Sequence, residues 1–339
     1  MSDYLLIRLS SLGDVLFALA VVDRLREAQP RSRISFLVED RFAAIPRAHP
    51  GIDEVLVVPR TEGWPAVFAN LKNLRRRRFD AVIDLQGNAK SALHLAALRG
   101  SLRIGFARGA GREANFLFVN KRVAPPPEAV HRADRFLTLL SALGIEPTRA
   151  APTPLQLSNE SVERAEKILS KAGAMPKVIL HPGTSAFGLL KRWEPERFGR
   201  LAKQLSFVPG AASFITGAPG EELLVHAAEE ASCGGALGLP PLPSLLDLTA
   251  LLARADAVVA ADTGPLHLAN RMGTPSVALF GPKDTKRYGP VYPRSVVIRR
   301  EDVPCSPCTR RWCEAPACMA GITVETVAFE VRRLLTSKK

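Results

Sequence analysis

Aromatic residues make up only 6% of the 339-residue chain, with three Trp and three Tyr. A surface for single-stranded nucleic acid stacks bases on rings threaded through a basic stretch. No such stretch occurs, and neither does a zinc-finger or RRM signature, so nucleic acid is not an expected partner. No run approaches the roughly 18 consecutive apolar residues of a membrane span. The first residues also lack the basic, apolar, small-residue order of a signal peptide, so a cytoplasmic protein is expected. Cysteine is sparse, five in all, and a cytoplasmic protein keeps thiols reduced or uses them as ligands. Acidic residues are short as well: 33 against 46 Lys and Arg, a net charge of +13. That excess attracts anions such as nucleic acid, an anionic membrane face or a phosphorylated substrate. An arginine-rich, solvated surface explains it equally well. The run Arg75–Arg78 fits that reading, because cations at the end of a helix complement its dipole.

Apolar residues supply 47% of the chain, enough for two cores. Runs rich in Val, Ile and Leu ("YLLIRL", "RISFLVE", "EVLVVP", "FDAVIDL") alternate with helical patterns at about 15–29, 40–47 and 64–77. Near-continuous apolar strands separated by helices predict a parallel sheet covered on both faces. The stretch 100–130 reads as looser and ends in the prolines 125–127, followed by a helix at about 131–143 and a Pro-rich linker. The alternation then restarts. Helices at about 159–172, 194–206, 219–232, 244–254 and 264–272 surround the strands "KVILH", "ASFITG", "DAVVAAD" and "SVALFG". A last amphipathic segment, "TVETVAFEVRRLL", has Thr323 or Thr326 near its start.

Four strand–turn–helix junctions carry the chemistry. The first, "RLSSLGDVL", has one glycine, no lysine and a carboxylate, Asp14, where nucleotide folds usually receive a phosphate. Spacing leaves two roles for Asp14: capping a helix that starts at Val15, or acting as general base on a hydroxyl. The second, "DTGPLHLA", puts Asp262, Thr263 and Gly264 beyond a strand end, with Pro265 and His267 in the first helical turn. Free N–H groups there suit a diphosphate, and a plain N-cap with a core histidine is the alternative. The third, "HPGTSAFGLLKRW", offers Thr184, Ser185 and Lys191 to phosphate oxygens, or is a surface loop. The fourth, "GAPGEE", places Glu221 and Glu222 where an acid bonds ribose hydroxyls or complements the helix dipole. The last three share the C-terminal half, which makes a nucleotide-diphosphate site there the economical reading. It also frees Asp14 for a substrate.

On these segments, together with "PSVALFGP" and "CSPCTRRWCEAPACMAGITVETV", the chain resembles glycosyltransferase family 9, the ADP-heptose:lipopolysaccharide heptosyltransferases, over nearly its whole length. The resemblance implies an α/β GT-B fold. Two Rossmann-like domains, 1–155 for the acceptor and 156–322 for the nucleotide sugar, would face a cleft, and a C-terminal helix, 323–339, would cross back toward the first. It implies Asp14 as catalytic base of an inverting transfer. Thr184, Ser185, Lys191, Glu221, Glu222, Asp262, Thr263, Gly264 and His267 would bind the donor, ADP-heptose. No metal or other cofactor is expected, and no DxD acid pair sits at a plausible strand end. The stretch 103–140 is similar to the acceptor side of the heptosyltransferase I branch. Its cluster Arg103, Arg108, Arg112, Lys121, Arg122, His131 and Arg132 would meet Kdo carboxylates and lipid A phosphates. Acceptor candidates are Ser10, Ser11, Arg112, Lys121, Arg122 and His131. The resemblance further implies a monomer in peripheral contact with the inner membrane.

Heptosyltransferase II activity or another sugar of the family stays open, as does a non-catalytic GT-B binder of anionic glycolipid or nucleotide. Cys305, Cys308, Cys313 and Cys318 stand in the pattern C-x2-C-x4-C-x4-C. Four cysteines can hold a structural zinc, but the second half is tighter than a zinc ribbon. Reduced cysteines packing the C-terminal crossover, or disulfides, are the other readings.

Overall fold

The computed structural model describes residues 2–98, 102–208, 210–292, 294–310 and 312–337. The chain divides into two compact units, Met1–Gln156 and Leu157–Lys339. The first holds strands β1 (Asp3–Ile7), β2 (Arg33–Glu39), β3 (Glu54–Val58), β4 (Ala81–Asp84), β5 (Leu102–Phe106) and β6 (Lys121–Val123). They form one sheet in the order β3-β2-β1-β4-β5-β6, parallel throughout. The second unit holds β7 (Lys177–His181), β8 (Ala212–Ile215), β9 (Ala236–Gly238), β10 (Ala257–Ala261), β11 (Ser276–Phe280) and β12 (Ser295–Arg299). Their order, β12-β11-β10-β7-β8-β9, repeats the topology of the first sheet. In both, the order reverses between the unit's first and fourth strands. The turns that follow those strands diverge and leave a crevice, which is where such sheets bind ligands.

The central strands are apolar on both sides because helices cover both faces. Leu5, Ile7, Leu37 and Val82 pack with Val67, Leu71 and Leu74 of the helix Trp64–Leu74 in one core. In the second unit Val178, Leu180, Val259 and Leu279 pack with Trp193, Phe198 and Leu201.

Several short elements escape the sequence patterns. The stretch read as loose contains β5 and the three-residue edge strand β6. Before it, the helix Ala89–Ala97 opens on Asn88, whose side chain accepts from the Lys90 and Ser91 N–H groups while Ser91 returns a bond to the Asn88 N–H. The edge strands β9 and β12 were not expected either. β6 and β9, at three residues each, are too short to carry a measurable alternation.

The C-terminal helix, Val324–Thr336, is capped by Thr323, whose Oγ1 accepts from the Thr326 N–H at 3.2 Å. The sequence reading sets this segment apart and directs it toward the N-terminal domain. In the structure it belongs to the second unit, and Val324, Val327, Ala328 and Val331 lie in that unit's own core. Residues 338–339 lie outside the described residues. All five cysteines are free thiols. Cys318 is buried in the same core, and burial, reinforced by nearby Cys308 and Cys305, pushes its thiol up. Among the described residues no group of three or more His, Cys, Asp or Glu is placed to hold a metal ion. Cys233 is exposed, in a left-handed turn (φ 50°). Among the described residues no helix is long and apolar enough to cross a membrane.

Candidate active site

In the first unit the site is made by the turns after β1 and β4. The helix after β1 spans Leu12–Ala28 with Ser11 at its N-cap, and no side chain caps it. Asp14 sits inside the first turn and does not act as its cap. Its carboxylate is held by two arginines instead. Arg8 Nη2 donates to Oδ2, and Arg132 Nε donates to Oδ1 at 2.9 Å. Both guanidinium groups lie over the Phe136 ring, 5.2 and 5.1 Å from its centroid, a favourable place for a cation.

Arg8 is the charged residue inside "LLIRL", and it is buried. Burial pulls its pKa down to about 10, against the opposing pull of Asp14. Its other arm donates to the Leu85 carbonyl at 2.8 Å, which ties the β1 turn to the β4 turn. Asp14 keeps 21% of its side chain exposed. Burial raises its pKa, but Arg8 and Arg132 outweigh burial and hold the carboxyl below its ordinary value. Such a group stabilises the fold above the ordinary carboxylate value and loses that contribution as pH falls through the lowered one.

The β4 turn is built on Asp84, which is fully buried. Its Oδ1 accepts from the Gln86 and Gly87 N–H groups, and its Oδ2 from Ser91 Oγ at 2.8 Å and Asn115 Nδ2 at 2.9 Å. Desolvation raises its pKa despite these bonds. Gly87 has φ +66°, and a Cβ there would stand 3.0 Å from the Phe106 ring, so only glycine fits.

The two turns enclose a cavity of about 280 Å³. Ser10, Ser11 and Arg112 line it together with Asp14 and Arg132. So do Arg8, Gln86, Asn88, Lys90 and Arg135, which sequence reasoning did not single out. A lone arginine in a buried strand was the one signal available for Arg8. Five cationic side chains and one carboxylate make this a receptor for an anion. Three acceptor candidates lie elsewhere. Lys121 and Arg122 are exposed on the edge strand β6, where Arg122 donates to the Phe116 carbonyl at 3.0 Å. His131 is the N-cap of the helix Arg132–Leu137; its Nδ1 accepts from the Ala133 N–H at 3.1 Å, and its ring packs edge-on against Phe17.

In the second unit the turns after β7 and β10 meet in the same way. Lys191 Nζ donates to Asp262 Oδ2 at 2.6 Å and to the Asp262 carbonyl at 3.1 Å. His267 Nε2 lies 3.2 Å from Asp262 Oδ1. Burial raises the Asp262 carboxyl, but the His267 hydrogen bond and the Lys191 charge bring it below its ordinary value. Asp262 therefore holds the lysine in place. The helix Gly264–Arg271 follows, with Thr263 at its N-cap. Thr263 Oγ1 donates back to the Ala261 carbonyl at 3.1 Å and does not cap the helix, so the terminus is left for an anion.

Thr184 is buried, and its Oγ1 accepts from Arg192 Nε at 3.3 Å; Ser185 is exposed. Glu221 turns inward, its Oε2 accepting from the Ala218 N–H at 2.8 Å. That path crosses Gly183, where a Cβ would stand 1.9 Å from Glu221 Oε2. Glu222 bonds the Gly220 N–H at 3.0 Å and, with Gly217, Leu239 and Pro240, lines a second cavity of about 370 Å³. Of the donor candidates, Lys191 and His267 both contact Asp262, Glu221 lies against Gly183 of the β7 turn, and Glu222 lines the separate cavity.

Comparison with known proteins gives the family and the fold. The model of glycosyltransferase family 9 (heptosyltransferase) matches residues 67–318, well over half of the chain. Lipopolysaccharide heptosyltransferase 1 of Pseudomonas aeruginosa is 29% identical over 98% of this chain and 97% of its own length. Lipopolysaccharide core heptosyltransferase OpsX of Haemophilus influenzae is 26% identical over 84% of this chain and 80% of its own. Among solved structures, E. coli ADP-heptose lps heptosyltransferase II superposes with a TM-score of 0.79 at 22% identity, covering 99% of both chains. E. coli heptosyltransferase WaaC with ADP gives 0.76 at 23% identity, covering 98% of this chain and 99% of its own. The twin six-stranded sheets are those of the GT-B fold, and the chain belongs to glycosyltransferase family 9, the heptosyltransferases.

Proposed function

We propose that the chain is an inverting heptosyltransferase that moves heptose from ADP-heptose to the Kdo-lipid A inner core of lipopolysaccharide, as a heptosyltransferase I. One observation carries the reading: a partly exposed, ionised carboxylate stands at a cavity whose other charged residues are all cations. Arg112, Arg132 and Lys90 attract the acidic acceptor sugar, and its hydroxyl hydrogen-bonds to Asp14. The hydroxyl oxygen forms its bond to the anomeric carbon on the face opposite ADP, so the configuration inverts. The proton passes to Asp14. The bond from that carbon to the β-phosphate oxygen breaks, and its electron pair leaves with ADP. Lys191 and the N–H groups at Gly264 meet the new charge, and Glu221 or Glu222 takes the ribose. On this reading the transfer uses no metal or other cofactor. The protein works in the cytoplasm as a monomer, against the inner membrane that anchors lipid A.

A carboxylate held this low is a weak base, which suits a transfer in which the hydroxyl becomes strongly acidic once its oxygen bonds to carbon. An acceptor carboxylate that draws Arg132 away also restores basicity at the moment of use. Arg132→Gln is therefore expected to raise the Asp14 pKa, read by carboxyl 13C titration, and to lower kcat/KM. An unmoved Asp14 titration would show that Arg132 does not tune it. Gly183→Ala is expected to push Glu221 off its perch and weaken ADP binding by roughly tenfold in calorimetry, the loss of about one good hydrogen bond.

The reading is tested with purified ADP-heptose and a panel of truncated acceptors. Heptose transfer to Kdo-lipid A supports heptosyltransferase I. Transfer only to an acceptor that already carries one heptose makes it heptosyltransferase II. Binding without ADP release makes it a non-catalytic binder.

A further inference from the structure

The helix Trp64–Leu74 has an outward face that sugar transfer does not use. Its inward residues Val67, Leu71 and Leu74 are in the core. Trp64 and Phe68, one turn apart, are 53% and 54% exposed, with ring centroids 6.1 Å apart. Arg60 lies over the Trp64 ring at 4.2 Å. Lys72, Arg75, Arg76 and Arg78 are all exposed. At about 100° per residue, Trp64, Phe68, Lys72 and Arg75 fall on a single stripe. No Asp or Glu occurs between Gly63 and Phe79. Of the four consecutive arginines, Arg77 is paired with Glu54, and among the described residues the other three have no ion pair. Complementing the helix dipole accounts for one or two of these charges. It does not account for the two exposed aromatic rings on the same stripe.

We propose that this stripe is a docking surface for an anionic lipid bilayer. Tryptophan and phenylalanine side chains settle at the headgroup boundary. Lysines and arginines beside them are drawn to an acidic leaflet. Two rings and a few cations are each too weak alone, and stable peripheral binding takes both signals together. The inference rests on the proposed function only for its purpose, which is to bring the enzyme to a lipid-anchored acceptor.

The test uses the full chain and vesicles that contain no acceptor: phosphatidylcholine alone, or with about 30% phosphatidylglycerol. In flotation, the protein is expected to bind the anionic vesicles, to release them as salt rises, and to ignore the neutral ones. Trp64→Ser with Phe68→Ser, and separately Lys72→Gln with Arg75→Gln and Arg76→Gln, should each weaken binding about tenfold or more. Transfer to a soluble, lipid-free acceptor sugar should stay unchanged in both. In a Trp312→Phe background, Trp64 emission should shift to the blue on binding. Undiminished vesicle binding by both variants overturns the proposal, as does an unmoved Trp64 emission. Loss of RNA binding in the same variants, with vesicles ignored by the parent protein, overturns it in favour of nucleic acid. Because neither vesicle carries acceptor, failure here leaves the transferase reading standing, and the reverse holds too.

Discussion

With Asp14 as the proposed base, Asp14→Asn is expected to lower kcat by roughly a thousandfold, the range over which a positioned base accelerates proton transfer. Asparagine keeps the shape and one acceptor oxygen, so Arg132 or Arg8 retains a hydrogen bond, but an amide cannot take the acceptor's proton. The lost interaction exists only in the transition state, so kcat and kcat/KM fall together and the donor's Kd barely moves. A stability cost accompanies the change. Arg8 keeps only 3% of its side chain exposed and loses its charge partner. Removing one partner of a fully buried pair costs about 3–5 kcal/mol; with Asp14 partly solvated, about 1–3 kcal/mol is expected. Stopped assays against ADP-heptose, calorimetry with ADP and a thermal melt separate the two effects. A folded variant that transfers heptose at the parental rate removes Asp14 from the mechanism.

With Lys191 as the proposed phosphate contact, Lys191→Met is expected to have the second largest effect, a fall of roughly 100- to 1000-fold in kcat/KM, comparable to losing one donor to a developing anion. The substitution also strands the Asp262 carboxylate, which is 7% exposed and is then left to His267. The double variant Lys191→Met, Asp262→Asn removes the stranded charge. It should recover thermal stability without recovering rate, and this non-additivity distinguishes a lysine that meets phosphate from one that only balances Asp262. Parallel recovery of rate and stability in the double variant would mean the lysine's role is structural.

What was legible in the sequence follows from physical range. Asp14, Lys191, Asp262 and His267 stand within a few residues of apolar strands, and a strand followed by a turn and a helix announces itself locally. The partners that set their chemistry do not. Arg132 reaches Asp14 from 118 positions away. Asn115 reaches Asp84 from 31. Nothing in composition or period couples such residues; only the sheet order brings them together. His131 shows the reverse case. Its neighbours in sequence are basic, which suggested an anion site, whereas its ring nitrogen closes the first turn of a helix. Lys121 and Arg122 lie outside the Asp14 cavity, on a three-residue edge strand too short to leave a pattern in the sequence. The C-terminal helix was placed by analogy, and its own valines decide where it packs.

Lys191 stands two residues before Trp193, whose indole N–H donates to the Ile322 carbonyl at 2.9 Å. Arg197 grips the same carbonyl and that of Ala320, at 2.8 and 2.6 Å. The segment around Ala320 and Ile322 is thus a mooring for the Lys191 loop, which the proposed function sets against the outgoing nucleotide. If that proposal holds, loosening this mooring is expected to be felt first as slack in the loop and a looser grip on nucleotide, well before either sheet comes apart.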